Sequence, residues 1–383
     1  MQHRNVRLFA TCPPSSQYGP RGDDYLRRVR EIARWCDEAG LEGMLVYTDN
    51  SLADPWLVAQ EILSSTSRLA PLVAVQPVYM HPYTAAKIVT TFSYLYGRRI
   101  CLNMVAGGFR NDLRALADQA EHDARYDRLV EYVSIMQRLF SDSGPVSFTG
   151  TYFTVKKLTV NPRIPPDLIP EIFVSGTSAA GLAAARKIGA TSVSYPGTPD
   201  EGKSSSNGPA GIRIGIIARP DSADAWRTAR ERYPVDRMGQ LTHAIARAGS
   251  DSAWFEQLSE LGDSAPEQRS VYWLVPFQNF RTFCPYLVGS YEEVRAEITK
   301  YIQAGFCTFI LDVPPCREEL LHTARAFGAD SGYAQILDTG TRIQHLAAAA
   351  ATSYAVYYGS PAAVHPALVR TLARALARWR APR

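Results

Sequence analysis

The chain alternates short apolar runs with longer amphipathic segments for most of its length. That alternation restricts the fold more than any other feature, because strands separated by helices build βαβ units on a parallel sheet. Residues 6–12 form an apolar run that stops at Pro13-Pro14. Residues 23–39 place Tyr25, Leu26, Val29, Ile32, Ala33 and Cys36 on one helical face, and Gly40 ends the helix. Strands are predicted at 43–47, 69–75 and 99–103, with helices at 55–65, 82–96 and 124–140. Pro55 can open its helix because the first turn needs no donor there. The pattern then breaks at 145–155, which reads as a hairpin turning near Gly150. It resumes with strand 171–175, helix 178–188 and strand 191–195. A Gly/Ser/Pro-rich loop at 196–211, expected to be mobile, leads to strand 212–218 and helix 222–232. Residues 235–285 are irregular and partly helical, as in an insertion. Helix 291–304, strand 307–313 and helix 317–327 follow.

Right-handed crossovers could wind these units into an open doubly wound sheet or a closed barrel. The count of about eight strand–helix pairs is the number for an α/β (β/α)8 TIM barrel with insertions. The expected organisation is a barrel over 1–329 and a helical C-terminal extension over 330–383. That extension carries an Ala run at 347–351 and a basic amphipathic segment at 366–380. Arg370, Arg374, Arg378 and Arg380 are expected on its solvated face. The three interruptions are expected to gather over the open end of the barrel as a substrate lid.

Composition narrows the function classes. With 46% apolar and 20% charged residues, a disordered or collagenous chain is excluded. A net charge of +4, from 41 basic and 37 acidic residues, gives no reason to expect nucleic acid or a membrane surface as partner. The six cysteines are scattered without CxxC or metal-ligand spacing, as in a reduced cytoplasmic protein. No apolar run approaches the roughly 18 residues of a membrane span. Walker A, GxSxG, zincin and GxGxxG motifs are all absent.

In a barrel the site lies at the C-terminal ends of the strands. Those ends hold Thr48, Asp49 and Asn50, then Gln76 and His81, then Asn103 with Gly107-Gly108, then Ser175 to Ser178, and later Arg219 and Asp312. Such a polar rim with few acid–base pairs suits a protein whose chemistry a cofactor supplies. Ser175-Gly176-Thr177-Ser178 joins a buried strand to a helix. Its N–H groups suit an anion such as phosphate, while Thr177 or Ser178 could simply cap the helix.

Several segments, taken together and in order, resemble the luciferase-like flavin monooxygenases, and among them the alkanesulfonate monooxygenase group. They are Asp54-Pro55-Trp56-Leu57-Val58-Ala59, Cys101-Leu102-Asn103-Met104-Val105-Ala106-Gly107-Gly108 and His122-Asp123-Ala124-Arg125-Tyr126. Leu287-Val288-Gly289-Ser290 with 304–311 resembles the family's final helix and strand, and Ile172 to Ser178 its phosphate turn. The resemblance spans about residues 6–328. It implies reduced FMN, delivered by a separate NAD(P)H-dependent flavin reductase, reacting with O2 to a peroxyflavin that oxidises a small organic substrate in secondary metabolism. A homo-oligomer, dimer or tetramer, is also implied. By the same resemblance Asn103, Ala106, Gly107, His122 and Tyr126 line the flavin, and Ser175, Gly176, Thr177 and Ser178 hold its phosphate. Arg125 and Asp127 are expected as a solvated surface pair.

The chain departs from the group at three positions. Leu52 stands where the group has a Cys, Gly215 where it has the His of an Arg-x-His pair, and Val313 where it has a Tyr. Arg213 keeps the Arg of that pair, for catalysis or as a structural ion-pair residue. Arg281 lies in the stretch of the group's Arg-bearing loop. His122, His81 and Asp312 are further candidates for acid–base work. A substrate other than a simple alkanesulfonate is therefore expected. Two alternatives remain: an F420-dependent oxidoreductase on the same barrel, and a non-catalytic flavin-binding barrel.

Overall fold

The computed structural model describes residues 6–198, 208–264 and 270–328. The expected C-terminal extension and most of the 196–211 loop lie outside the described residues. The first half runs β1 (Arg7–Thr11), α1 (Asp23–Glu38), β2 (Gly43–Val46), α2 (Pro55–Ser65), β3 (Ala70–Val75), α3 (Pro82–Tyr96), β4 (Cys101–Met104), α4 (Arg110–Ala115) and α5 (His122–Ser141). A hairpin, β5 (Val146–Thr149) and β6 (Thr154–Leu158), precedes β7 (Ile172–Ser175), α6 (Ala179–Ile188) and β8 (Thr191–Ser194). The remainder runs β9 (Ala210–Arg219), α7 (Ser222–Arg232), α8 (Arg237–Gly249), α9 (Ala253–Ser264), β10 (Tyr272–Trp273), α10 (Val275–Gln278), β11 (Tyr286–Ser290), α11 (Tyr291–Gln303), β12 (Phe306–Leu311) and α12 (Arg317–Phe327).

Eight parallel strands close into a barrel in the order β9-β12-β1-β2-β3-β4-β7-β8, with β8 pairing back to β9. Alternate side chains divide between the interior and the helical jacket, as a period of two requires. Phe9, Leu45, Leu72, Cys101, Phe173, Val193 and Ile310 form one cluster that fills the barrel. Val73, Val75, Leu102, Met104 and Val174 point the other way and pack in the core that α2, α3, α5 and α6 share. Phe9 and Phe173 meet edge-to-face with centroids 5.6 Å apart. At the N-terminal end of the strands, Arg7 Nε donates to Glu42 Oε2 and Nη1 to Glu171 Oε1, each at 2.7 Å. One guanidinium thereby ties β1 to the residues that lead into β2 and β7.

Two details differ from the expected pattern. The segment 286–290 is a strand, β11, which the sequence reading left unassigned. It pairs with β9 from Gly215 to Arg219, above the level at which β9 pairs with β12 and β8. Conversely, no helix follows β8 among the described residues. Among the described residues the eight-pair count therefore comes from a different assignment: β11 supplies the strand for helix α11, and β8 has no helix there.

The three interruptions also differ from each other. The hairpin turn is fixed to α5, where both Glu131 oxygens accept backbone N–H bonds from Thr151, Tyr152 and Phe153 at 2.7–3.1 Å. Phe148, Phe153 and Val155 pack on the core beneath the helical jacket. The hairpin is thus an outer brace and not part of a lid. Residues 235–285 fold as α8, α9, β10 and α10.

Replacing Phe9 with alanine removes the centre of the barrel filling. The expected loss is about 3–5 kcal/mol, the usual cost of truncating a buried aromatic, read as a lower urea midpoint with an unchanged slope.

Candidate active site

The turn after β7 is shaped by one tyrosine. Gly176 has φ +153°, and any side chain there would collide with the Tyr126 hydroxyl; Gly181 in the first turn of α6 faces the same ring. Tyr126 is buried, and burial pushes its pKa up, so it stays protonated. Ser178 is the N-cap of α6 and accepts from Gly181 N at 3.1 Å. The capping role is therefore real. It satisfies one first-turn amide and leaves others without an intrahelical partner.

Asn103, buried at the end of β4, accepts a 2.9 Å hydrogen bond from Ser175 Oγ and so ties β4 to the turn. The next loop bends at Gly107, φ +93°, where a side chain would press on Leu113 and Gln76. His122 heads α5 with Nδ1 2.6 Å from Asp123 Oδ1 and its ring 5.3 Å from Tyr126. Asn103, Ala106, Gly107, His122, Tyr126 and all of Ser175 to Ser178 line one cavity of about 150 Å³.

The roof of this cavity comes from the 235–285 insertion, through Asp251, Ser252, Ala253 and Trp254. Arg125, expected as a solvated surface cation, is buried at 3% exposure and donates to Asp251 Oδ2 at 2.8 Å and to Ala120 O at 3.0 Å. Its partner lies 126 positions away and is invisible to a helix-surface reading. Asp251 N and Ser250 Oγ both donate to Gly108 O, at 3.2 and 3.1 Å, closing the roof onto the β4 loop. Trp254 stacks on Tyr195 with centroids 3.7 Å apart. Tyr195, Asp251 and Trp254 were all missed from sequence. The segment has no motif, and only the contact across the barrel mouth gives these residues a role.

A second, larger cavity of about 1210 Å³ adjoins the first and shares Tyr47, Asp49, Phe109, Asp112, Arg213 and Phe283 with it. Arg213 on β9 is 4% exposed; its guanidinium lies 5.4 Å from the Tyr47 ring centroid and 3.7 Å from Asp312. Its Nε has no hydrogen-bond partner. Arg281 stands at the mouth of the larger cavity, largely exposed, and donates to Asp236 Oδ2 at 2.5 Å. His81 lines neither cavity: it caps α3, its Nδ1 accepting from Tyr83 N at 3.1 Å, and its ring meets Phe153 of the hairpin edge-on. Leu52 and Val313 both line the larger cavity, so two of the chain's departures fall on that side. No cluster of three or more metal-ligating side chains occurs among the described residues, and no helix there is long and apolar enough to cross a membrane.

A closed parallel barrel with a helix-terminus turn at one end of a covered cleft, and an open cavity beside it, is a (β/α)8 barrel with its candidate site at the C-terminal ends of the strands. The chain belongs to the luciferase-like monooxygenase family, which it matches over residues 6–308. It is 33% identical over 328 residues to the 4-(gamma-L-glutamylamino)butanoyl-[BtrI acyl-carrier protein] monooxygenase BtrO of Niallia circulans, covering 84% of this chain and 96% of that protein. Its fold is similar to EDTA monooxygenase EmoA from Chelativorans sp. BNC1, with a TM-score of 0.64 at 16% identity over 88% of this chain and 95% of the other. An F420-dependent secondary alcohol dehydrogenase shares the fold too, with a TM-score of 0.56 at 17% identity over 84% and 97%. The protein is therefore an enzyme of the flavin monooxygenase class that oxidises a substrate.

The roof has a built-in pH dependence. His243 of α8 is buried against Phe255 and Phe277, with ring centroids 5.0 and 4.8 Å away. Burial, with Arg247 adding to it, lowers its pKa from the usual histidine value. The unfolded chain therefore takes up this proton before the folded one as pH falls through about 6.5. This contribution to stability is full above that value and declines below it. Thermal melts from pH 7.5 to 5.5 should show the decline, and His243→Phe should flatten it.

Proposed function

We propose that the protein uses reduced FMN, supplied by a separate NAD(P)H-dependent flavin reductase, and O2 to oxidise an acyl group presented on a carrier protein. The observation that carries this reading is the joining of two polar sites in one cleft. One is the Ser175–Ser178 turn at the start of α6; the other is the buried, under-partnered Arg213 where the cleft opens into the larger cavity.

The residues present fit a flavin nucleotide. First-turn amides of α6 and the Thr177 and Ser178 hydroxyls suit the phosphate. Asp251 Oδ1 is buried without a partner, an acceptor that a ribityl hydroxyl would satisfy. Asn103, Ala106, His122 and Tyr126 complete the walls. Bound there, reduced FMN would supply the oxygen activation, which no side chain can provide. Trp254 of the roof, stacked on Tyr195 at the end of β8, would keep water from the cleft. Arg213 would hold an anionic group by charge-assisted hydrogen bonds, and Arg281 would act at the entrance. His81, as the α3 cap, has no part in this scheme.

The substrate class rests on the relative that acts on a carrier-bound acyl group, and on the size of the larger cavity. Val235, Met238 and Ile245 line its mouth with exposed apolar side chains, which suits an entering acyl arm. Leu52 and Val313 on its wall argue against a simple alkanesulfonate. A natural-product pathway is the setting that fits.

Three measurements test the proposal. Thr177→Ala with Ser178→Ala should weaken FMN binding about tenfold, the cost of lost phosphate hydrogen bonds, and leave riboflavin binding unchanged. Equal losses for both flavins would remove the phosphate assignment. Tight binding of F420 without O2 consumption would replace FMN by the deazaflavin. Finally, kcat/KM should be higher for the acyl carrier protein conjugate than for the free acid, and parity would remove the carrier.

A further inference from the structure

Gly215, which stands where the resemblance implied a histidine, does not face empty space. Gly215 on β9 pairs directly with Tyr286 on β11, and any side chain at 215 would run into the Tyr286 ring. Tyr286 is buried, and its hydroxyl donates to Asp312 Oδ2 at 2.7 Å. Since that uses its one proton, the Tyr233 hydroxyl, 2.7 Å away, is the donor to Tyr286. Tyr233 and Asp312 both line the larger cavity. The other oxygen of Asp312 faces Arg213 at 3.7 Å, beyond hydrogen-bond length. A guanidinium and a carboxylate buried side by side ordinarily close into a bidentate pair. Here the pair stays open, and Arg213 Nε is unpartnered.

We infer that Tyr286 is a positioning residue: by holding Asp312 on its own hydroxyl, it keeps the Arg213 guanidinium turned to the cleft as a seat for a carboxylate-bearing substrate. Gly215 is the condition for this, because only a residue without a side chain admits the tyrosine. Tyr233 completes the arrangement by fixing the direction of the Tyr286 proton. The inference rests on the reading of Arg213 as the group that meets an anion.

The test uses the full chain, labelled with 15N-arginine and saturated with FMN, and acetate as probe. The Nε–Hε resonance of Arg213 reports acetate binding. Tyr286→Phe keeps the ring over Gly215 and removes only the hydroxyl. It should shift that resonance and weaken acetate about tenfold, as loss of one hydrogen bond to a charged group does. FMN affinity should be unchanged. In an Asp312→Asn background the same substitution should change neither value, because residues that act through one another are not additive. Wild-type acetate affinity in Tyr286→Phe overturns the inference, as does an equal loss in both backgrounds. Acetate binding measured by calorimetry that is undiminished in Arg213→Ala overturns the anion seat itself, which separates the two failures.

Discussion

The structure depends on one strand doing two jobs. The first half of β9 closes the barrel, pairing with β8 on one side and β12 on the other. Its second half rises past the closed wall and takes β11 as a partner. A barrel packed solid with Phe9, Phe173 and their neighbours cannot hold a ligand inside. Whatever binds must therefore sit on top, and the overhang of β9 builds one wall of that space. Arg213 lies in the stretch where β9 still pairs with β12, which places it between the two cavities.

The cleft divides into a covered part and an open part, and they are held by different physics. Strand ends and the first turn of α6 form the covered part; hydrogen bonds from Ser175 to Asn103 and from Gly181 to Ser178 fix it, with the Tyr126 ring packed against Gly176 and Gly181. The open part is walled largely by the insertion and by aromatic and charged side chains from α7 onward. The insertion is joined to the covered part through the Arg125–Asp251 pair and the bonds to Gly108 O. Breaking a largely buried ion pair leaves an uncompensated charge, so this joint is costly to open. The roof is thus coupled to the helix that carries His122 and Tyr126.

Most of the barrel was legible in the sequence, because its signals are local. Hydrophobic periods of two and 3.6, proline starts and glycine stops depend only on near neighbours. Asn103, Gly107 and Ser175 to Ser178 could be placed from the sequence because they sit on strand ends, which the same periods locate; Ala106, His122 and Tyr126 were singled out only through the resemblance to the family. What failed was everything set at a distance. β11 is five residues long with a glycine inside, and it exists because β9 overhangs the barrel. Arg125 reads as a surface cation until Asp251 arrives from the insertion. The hairpin near Gly150 reads as a hairpin but not as a brace, since Glu131, which holds it, looks like any acid on a helix. His81 carries a local signal of the wrong kind: a histidine just before Pro82 is as good a cap as it is a base.

The contact between Gly215 and Tyr286 has a consequence for how such a chain can vary. The two positions face each other across paired strands, and one ring occupies the space of both. A larger residue at 215 is tolerable only with a smaller one at 286, and a smaller one at 286 leaves a void unless 215 grows. The two positions are therefore coupled, and a change at either alone costs packing at the other. A histidine placed at 215 would need a smaller residue at 286 to make room for it.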